Sequence, residues 1–144
     1  IKKWCSNKLA ITQFDPGNLI KTIKKHGLYV GTNYMLGFPD ETREEMQITI
    51  EFAKKMKDHG LDHSNFYCVM PVPGTPIYDY AIQNGHLPTD YNPDSFQWTR
   101  ANLRNILVPQ DELELIRDKA WNDCNSDFFK ESRRKWVVNS NTTT

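Results

Sequence analysis

Cysteine is scarce and badly placed for chemistry. Cys5, Cys68 and Cys124 are the only three in 144 residues, and no two lie close enough to form a metal-ligating set. Their odd number and wide spacing exclude a dense disulfide framework, so a reducing, cytoplasmic setting is expected. No apolar run approaches ~18 residues, and no secretory leader pattern is present, which leaves no predicted membrane segment. Charge of one sign is also missing. Eighteen Lys and Arg balance eighteen Asp and Glu, which removes the global field that would favour nucleic acid or an anionic membrane as partner. The one basic cluster, Arg133-Arg134-Lys135, sits beside Glu131 and reads as a solvated helix end. Neither standard spacing of a glycine-rich phosphate loop occurs, and no Ser, His and Asp constellation can be assembled. Asn141-Thr142-Thr143 matches a glycosylation acceptor only formally, given the lack of a leader. The chain opens at Ile1 rather than methionine, so an N-terminal portion is expected to precede it.

Two proline-marked strand exits are present: Gly37-Phe38-Pro39-Asp40-Glu41-Thr42 and Met70-Pro71-Val72-Pro73-Gly74-Thr75-Pro76. Each follows a β-rich run that starts just after His-Gly-Leu, at His26-Gly27-Leu28 and again at His59-Gly60-Leu61. The internal period is 33 residues, from His26 to His59, the size of one strand-plus-helix unit. In parallel α/β folds ligands gather where strands deliver their carboxyl ends, so function is sought at these exits.

Helix starts and stops are well marked. Asp15-Pro16 pairs an N-cap with proline at the first helical position, and Gly27 supplies a left-handed stop. Thr42 and Glu45 form a capping box, with Met46, Ile50 and Ala53 at helical spacing behind it and Gly60 at the end. Thr75-Pro76 repeats the cap-then-proline start. Strands are expected over Tyr29 to Leu36 and Ser64 to Met70, the second apolar almost throughout and therefore covered on both faces. Pro88 to Pro93 is a linker, Pro109-Gln110-Asp111-Glu112 opens a long helix, and a shorter one is expected from Ser126 to about Trp136. Residues 1–90 thus read as strand-helix units, 91–136 as a linker and helical extension, and 137–144 as a flexible tail. Two strands cannot close a sheet, so either another part of the polypeptide supplies the rest or Lys8 to Thr12 adds a strand.

Individual chemical residues are modest. His59 and His63 are four apart, but Gly60 between them breaks the shared helical face a metal pair needs; His59 reads as a helix end and His63 as a surface residue. Asp40 and Glu41 stand at a helix N-terminus, where carboxylates are stabilised by the dipole. Tyr67 and Tyr78 could offer hydroxyls or pack. No catalytic and no metal-ligating residue is assigned.

Taken together, Tyr34-Met35-Leu36-Gly37-Phe38-Pro39-Asp40-Glu41-Thr42 and Phe66-Tyr67 through Pro73-Gly74-Thr75-Pro76-Ile77-Tyr78 resemble the radical S-adenosylmethionine enzymes. The likeness is greatest to the class whose barrel often follows a cobalamin-binding domain. Thr99 to Arg104 and Ile116 to Trp121 resemble the helical extension common in that family. The resemblance implies an α/β fold, the C-terminal portion of a partial (β/α)6 TIM-like barrel with a C-terminal helical extension. It implies S-adenosylmethionine and a 4Fe–4S cluster as cofactors of the complete enzyme, with cobalamin as a further possibility. It also implies Met35, Gly37, Cys68, Val69 and Met70 as cofactor-binding positions near the adenine and ribose. Asp40 departs from the glycine common there. A larger departure is the missing Cys-x-x-x-Cys-x-x-Cys loop, because a cluster needs three thiolates at one point. The chain is therefore expected to be inactive alone and to need an N-terminal barrel half, in the same or a separate chain, with an unidentified small-molecule substrate. Two other readings stand beside this one: a non-catalytic α/β module that binds a partner half or a nucleotide-like ligand, and a small α/β domain with similar turns.

Overall fold

The computed structural model describes residues 15–88 and 90–141. The order is α1 (Pro16–Lys25), β1 (Gly31–Leu36), α2 (Arg43–Asp58), β2 (His63–Cys68), α3 (Pro76–Gln83), a single 3-10 turn (Pro93–Ser95), α4 (Gln110–Cys124) and α5 (Asp127–Asn141). The class is α/β, as expected. The possible strand at Lys8 to Thr12 lies outside the described residues.

Local chemistry accounts for the starts. Asp15 accepts from the Asn18 N–H at 3.1 Å, and Pro16 occupies the first turn of α1. Both halves of the Thr42–Glu45 capping box form at α2. Gly27 and Gly60 take φ of +70° and +97°, so the chain turns directly from helix into strand. The last helix continues to Asn141 instead of ending near Trp136.

The strands run parallel, with Gly31 opposite His63 and Leu36 opposite Cys68. Strand geometry sends alternate side chains to opposite faces. Tyr34, Leu36, Phe66 and Cys68 pack on one face against Met46, Ile50 and Ala53 of α2 and Leu113, Ala120 and Cys124 of α4. The other face carries Asn33, Met35, Asn65 and Tyr67, and it is open: Met35 is 40% exposed. Coverage of β2 on both faces is therefore not observed. Its burial alternates residue by residue, because only Phe129 at His63 and Trp98 at Tyr67 reach the second face among the described residues.

The two sheet edges differ. Outside β2, the Ser64 N–H donates to Asn125 Oδ1 at 2.9 Å, and Asn125 Nδ2 donates to the Ser64 and Trp121 carbonyls, each at 2.8 Å. Further along, the Cys68 N–H donates to the Trp98 carbonyl at 2.8 Å. Side-chain and loop groups thus stand where a further strand would pair. β1, by contrast, has no strand on its outer side among the described residues. Replacing Asn125 tests the seal. Asn125→Ala is expected to lower stability by about 2 kcal/mol in urea unfolding, because the buried Ser64 N–H loses its acceptor while the two carbonyls tolerate the loss better.

Candidate functional site

The two strand exits lie side by side at the carboxyl end of the sheet, as parallel strands require. At the first, Gly37 adopts φ of +88°, and a Cβ built on it would stand 2.4 Å from Leu113 Cδ2 of α4. Only glycine lets helix and strand end approach this closely. Buried Glu41 folds back onto the exit, its Oε2 accepting the Gly37 N–H at 2.7 Å and the Phe38 N–H at 3.2 Å, while Oε1 is buried without a partner. Burial raises the Glu41 carboxyl above its ordinary value, and the two N–H donors offset this only in part. At the second exit, Thr75 caps α3 and its hydroxyl donates to the Val72 carbonyl at 2.6 Å. The exits are tied by the Val69 N–H, which donates to the Leu36 carbonyl at 2.9 Å.

The five positions expected to touch a cofactor fall in different places. Met35 projects from the open face. Gly37 supplies backbone, but its N–H is already held by Glu41. Cys68 is fully buried on the helix-facing side, and Val69 packs with Phe38, Ala81 and Leu103 in a second cluster. Met70 is half-buried just beyond β2. The structure thus offers one of these five side chains, Met35, on the open face.

Cys68 and Cys124 are free thiols inside the core. Burial pushes Cys68 up to about 11 against the opposing pull of the Arg117 charge, and burial also raises Cys124. Thiols held protonated in this way are poor metal ligands and poor nucleophiles. No group of three His, Cys, Asp or Glu among the described residues is placed to hold a metal ion. No helix there is long and apolar enough to cross a membrane.

Two asparagines were not singled out by sequence. Asn33 and Asn65 stand opposite one another on the open face, and Asn65 Nδ2 donates to Asn33 Oδ1 at 3.1 Å. Tyr67 meets Trp98 edge-on, with ring centroids 5.7 Å apart. His63, expected as a plain surface residue, is sandwiched between Tyr29 at 5.3 Å and Phe129 at 4.8 Å, and its ring fills the space over Gly31. His59 does end α2, and its ring packs over Gly17.

No family model matches the chain. It is 47% identical over 70 residues to an uncharacterized methyltransferase of Pyrococcus horikoshii, which covers 49% of this chain and 15% of that protein. It is 29% identical over 99 residues to the tRNA-2-methylthio-N(6)-dimethylallyladenosine synthase of Ehrlichia ruminantium, covering 67% of this chain and 20% of that one. It is 32% identical over 75 residues to the ribosomal protein uS12 methylthiotransferase RimO of a Synechococcus species, covering 52% and 14% respectively. The chain is thus similar to parts of a methyltransferase, of a methylthio-adenosine synthase acting on tRNA by its name and of a methylthiotransferase, and its matches span a fifth or less of each relative's length.

Proposed function

We propose that the chain is the C-terminal part of a radical S-adenosylmethionine enzyme. On this reading β1 and β2 are the last two strands of a partial (β/α)6 barrel, α4 and α5 form its helical extension, and the open face is one wall of the reaction cavity. The observation that carries the proposal is the asymmetry of the edges. β2 is sealed by Asn125 and Trp98, whereas β1 has no strand on its outer side among the described residues, which supports attachment of the missing strands on the side of the earlier sequence. An uncovered parallel pair is not a stable end state for a sheet, which supports a partner half beside β1. The three relatives, each several times longer than its match and two of them named as transferases, support the same reading.

The residues here suit the wall and not the cluster. Exposed Met35 beside the Tyr67 ring gives an apolar shelf for a flat base. Cys68 and Cys124 are enclosed, so the three thiolates of a 4Fe–4S cluster could not all come from this chain. When bound there, S-adenosylmethionine and the cluster would supply a 5′-deoxyadenosyl radical. This chain's part would be to seat the cofactor's apolar side and shape the cavity.

The test uses the complete gene product, reconstituted anaerobically. It is expected to bind iron and sulfide in cluster stoichiometry and to release 5′-deoxyadenosine from S-adenosylmethionine under reduction, while the 144 residues alone do neither. Bound cobalamin in the same preparation would assign the sub-class. Stoichiometric iron and sulfide on the 144 residues alone would overturn the proposal, as would a complete product that binds neither.

A further inference from the structure

The amino end of the sheet, opposite the two exits, is closed by aromatic rings from three segments. Gly31 opens β1 across from His63 of β2, and a Cβ built on Gly31 would stand 1.9 Å from His63 Cε1, so the imidazole fills the space a side chain would take. That ring stacks on Tyr29, just before β1, and on Phe129 in the first turn of α5, at interplanar angles of 23° and 15°. Elsewhere α5 is loosely seated. Phe128 is 82% exposed, and a cavity of about 430 Å³ lies between Tyr29 and Asp62 on one side and Phe128, Ser132 and Arg133 on the other. The chain enters α5 directly after Asn125, which is fixed to the Ser64 backbone, so the helix has an anchored pivot.

The stack suits a neutral imidazole and not a charged one. His63 Nδ1 is buried without a hydrogen-bond partner. A neutral ring can leave that nitrogen bare, whereas an imidazolium carries a proton on both nitrogens and has no acceptor for this one. The neighbouring carboxylate is committed elsewhere: Asp62 Oδ1 and Oδ2 accept Lys24 Nζ of α1 at 2.7 and 2.8 Å, and Oδ2 also accepts the Val30 N–H at 2.7 Å. From α5, the Arg133 charge opposes a second positive charge, while Asp127 and Lys130 pair with each other at 2.8 Å. Tyr29, the other titratable group against the ring, is held above its ordinary 10.0 by burial and stays neutral. Burial therefore lowers His63 below its ordinary 6.5, with Asp62 offsetting part of this and Arg133 adding to it. The flanking ring faces would attract a cation, but with Nδ1 unpartnered and Arg133 close by the cost of a buried charge prevails.

We infer that the Tyr29–His63–Phe129 stack is an acid-released latch: neutral His63 holds α5 across the amino end of the sheet, and a proton on His63 frees the helix to swing about Asn125. Release takes Phe129 off the open face and leaves the imidazole in water. The released ring titrates at its ordinary 6.5 and the docked ring below it, so docking is fully supported above 6.5 and is lost as pH falls through the docked value. Between the two values the release constant rises about tenfold for each pH unit, as one bound proton requires. On the reading of the open face as a cavity wall the latch closes the cavity floor, but the latch itself does not depend on that reading.

The experiment uses the complete gene product labelled with fluorophenylalanine, the Phe129 and Phe66 resonances assigned by Phe129→Leu and Phe66→Leu, and the His63 imidazole resonance assigned by His63→Gln. On acidification from neutral pH, the Phe129 signal is expected to leave its stacked position together with the titration of His63, at a midpoint below 6.5, while the signal of Phe66 in the core holds. His63→Phe keeps a ring in the stack and carries no proton, so Phe129 should stay stacked throughout. Arg133→Gln, at an exposed position, should ease protonation of the docked ring and so lower the release constant at a given acid pH. A Phe129 signal that stays put while His63 titrates, a His63 midpoint at or above 6.5, or a transition retained in His63→Phe would each overturn the latch. So would Phe66 moving with Phe129, which would make the event global unfolding. Should His63→Phe fail to fold, Arg133→Gln decides, and an unchanged release constant there overturns the latch as well. None of these readouts needs a bound cofactor, so the latch and the cavity reading stand or fall separately.

Discussion

Gly37→Ala is expected to cost about 3 kcal/mol, enough to unfold a large share of a marginally stable domain. Two separate penalties add. The backbone there has φ of +88°, and a side chain in the left-handed region costs roughly 1–2 kcal/mol. The new methyl would also enter the 2.4 Å gap to Leu113, which is 1% exposed and has no free space to yield, and overpacking of this kind costs about 1–3 kcal/mol. The pairing gives a sharper test than the single substitution. Leu113→Ala alone is expected to cost about 2–5 kcal/mol as a cavity, but Gly37→Ala added to it should then cost only the backbone share, about 1–2 kcal/mol. A urea double-mutant cycle reads the coupling directly. Strict additivity would show that Leu113 does not constrain Gly37.

The physical reasons for what could be read in the sequence are visible in these same residues. Capping is short-range chemistry, so Asp15-Pro16, the Thr42–Glu45 box and Thr75-Pro76 announced their helices within four residues, and all three formed. The parallel strand pair followed from the His-Gly-Leu repeat. The faces were harder. Phe66-Tyr67-Cys68-Val69-Met70 is apolar on both sides, so its pattern carries no parity, and the side of the sheet that Cys68 and Tyr67 would take depended on where α4 packs. Cys68 and Val69 consequently turned inward while Tyr67 and Asn65 stayed on the open face. Asn125 shows the same limit: after a helix it reads as an ordinary terminal residue, yet two of its three hydrogen bonds close the edge of a strand 61 positions earlier. Non-local bonds of that kind leave no spacing pattern.

Glu41 governs the remaining prediction, and its sign runs opposite to that of most protein carboxylates. Its Oε2 satisfies two backbone N–H groups at the first exit, so Glu41→Ala leaves both unpaired in a buried turn and is expected to cost about 3 kcal/mol. Glu41→Gln keeps a carbonyl acceptor in the same place and should cost less at neutral pH. The charge is what distinguishes the two. Burial, reinforced by the nearby Glu45 charge, raises the carboxyl above its ordinary 4.5, and the N–H donors only partly counter it. The folded state therefore binds the proton more tightly than the unfolded chain does. Stability from this group is fully present below the ordinary carboxyl value and falls as pH rises from there through the raised folded value. Glu41→Gln has no proton to lose, so the stability difference between native protein and variant should shift against the native protein across that window and stay level above it. Urea midpoints taken at intervals from acid to neutral pH measure this. A difference that does not change with pH would mean that Glu41 holds the strand exit by shape and hydrogen bonding alone, whereas the expected drift would mean that a buried negative charge is kept at the mouth of the sheet at a cost in stability. A cost of that kind at a strand exit, met by the very residue that fixes Gly37 and Phe38, fits a turn whose geometry is selected for what it borders and not for stability.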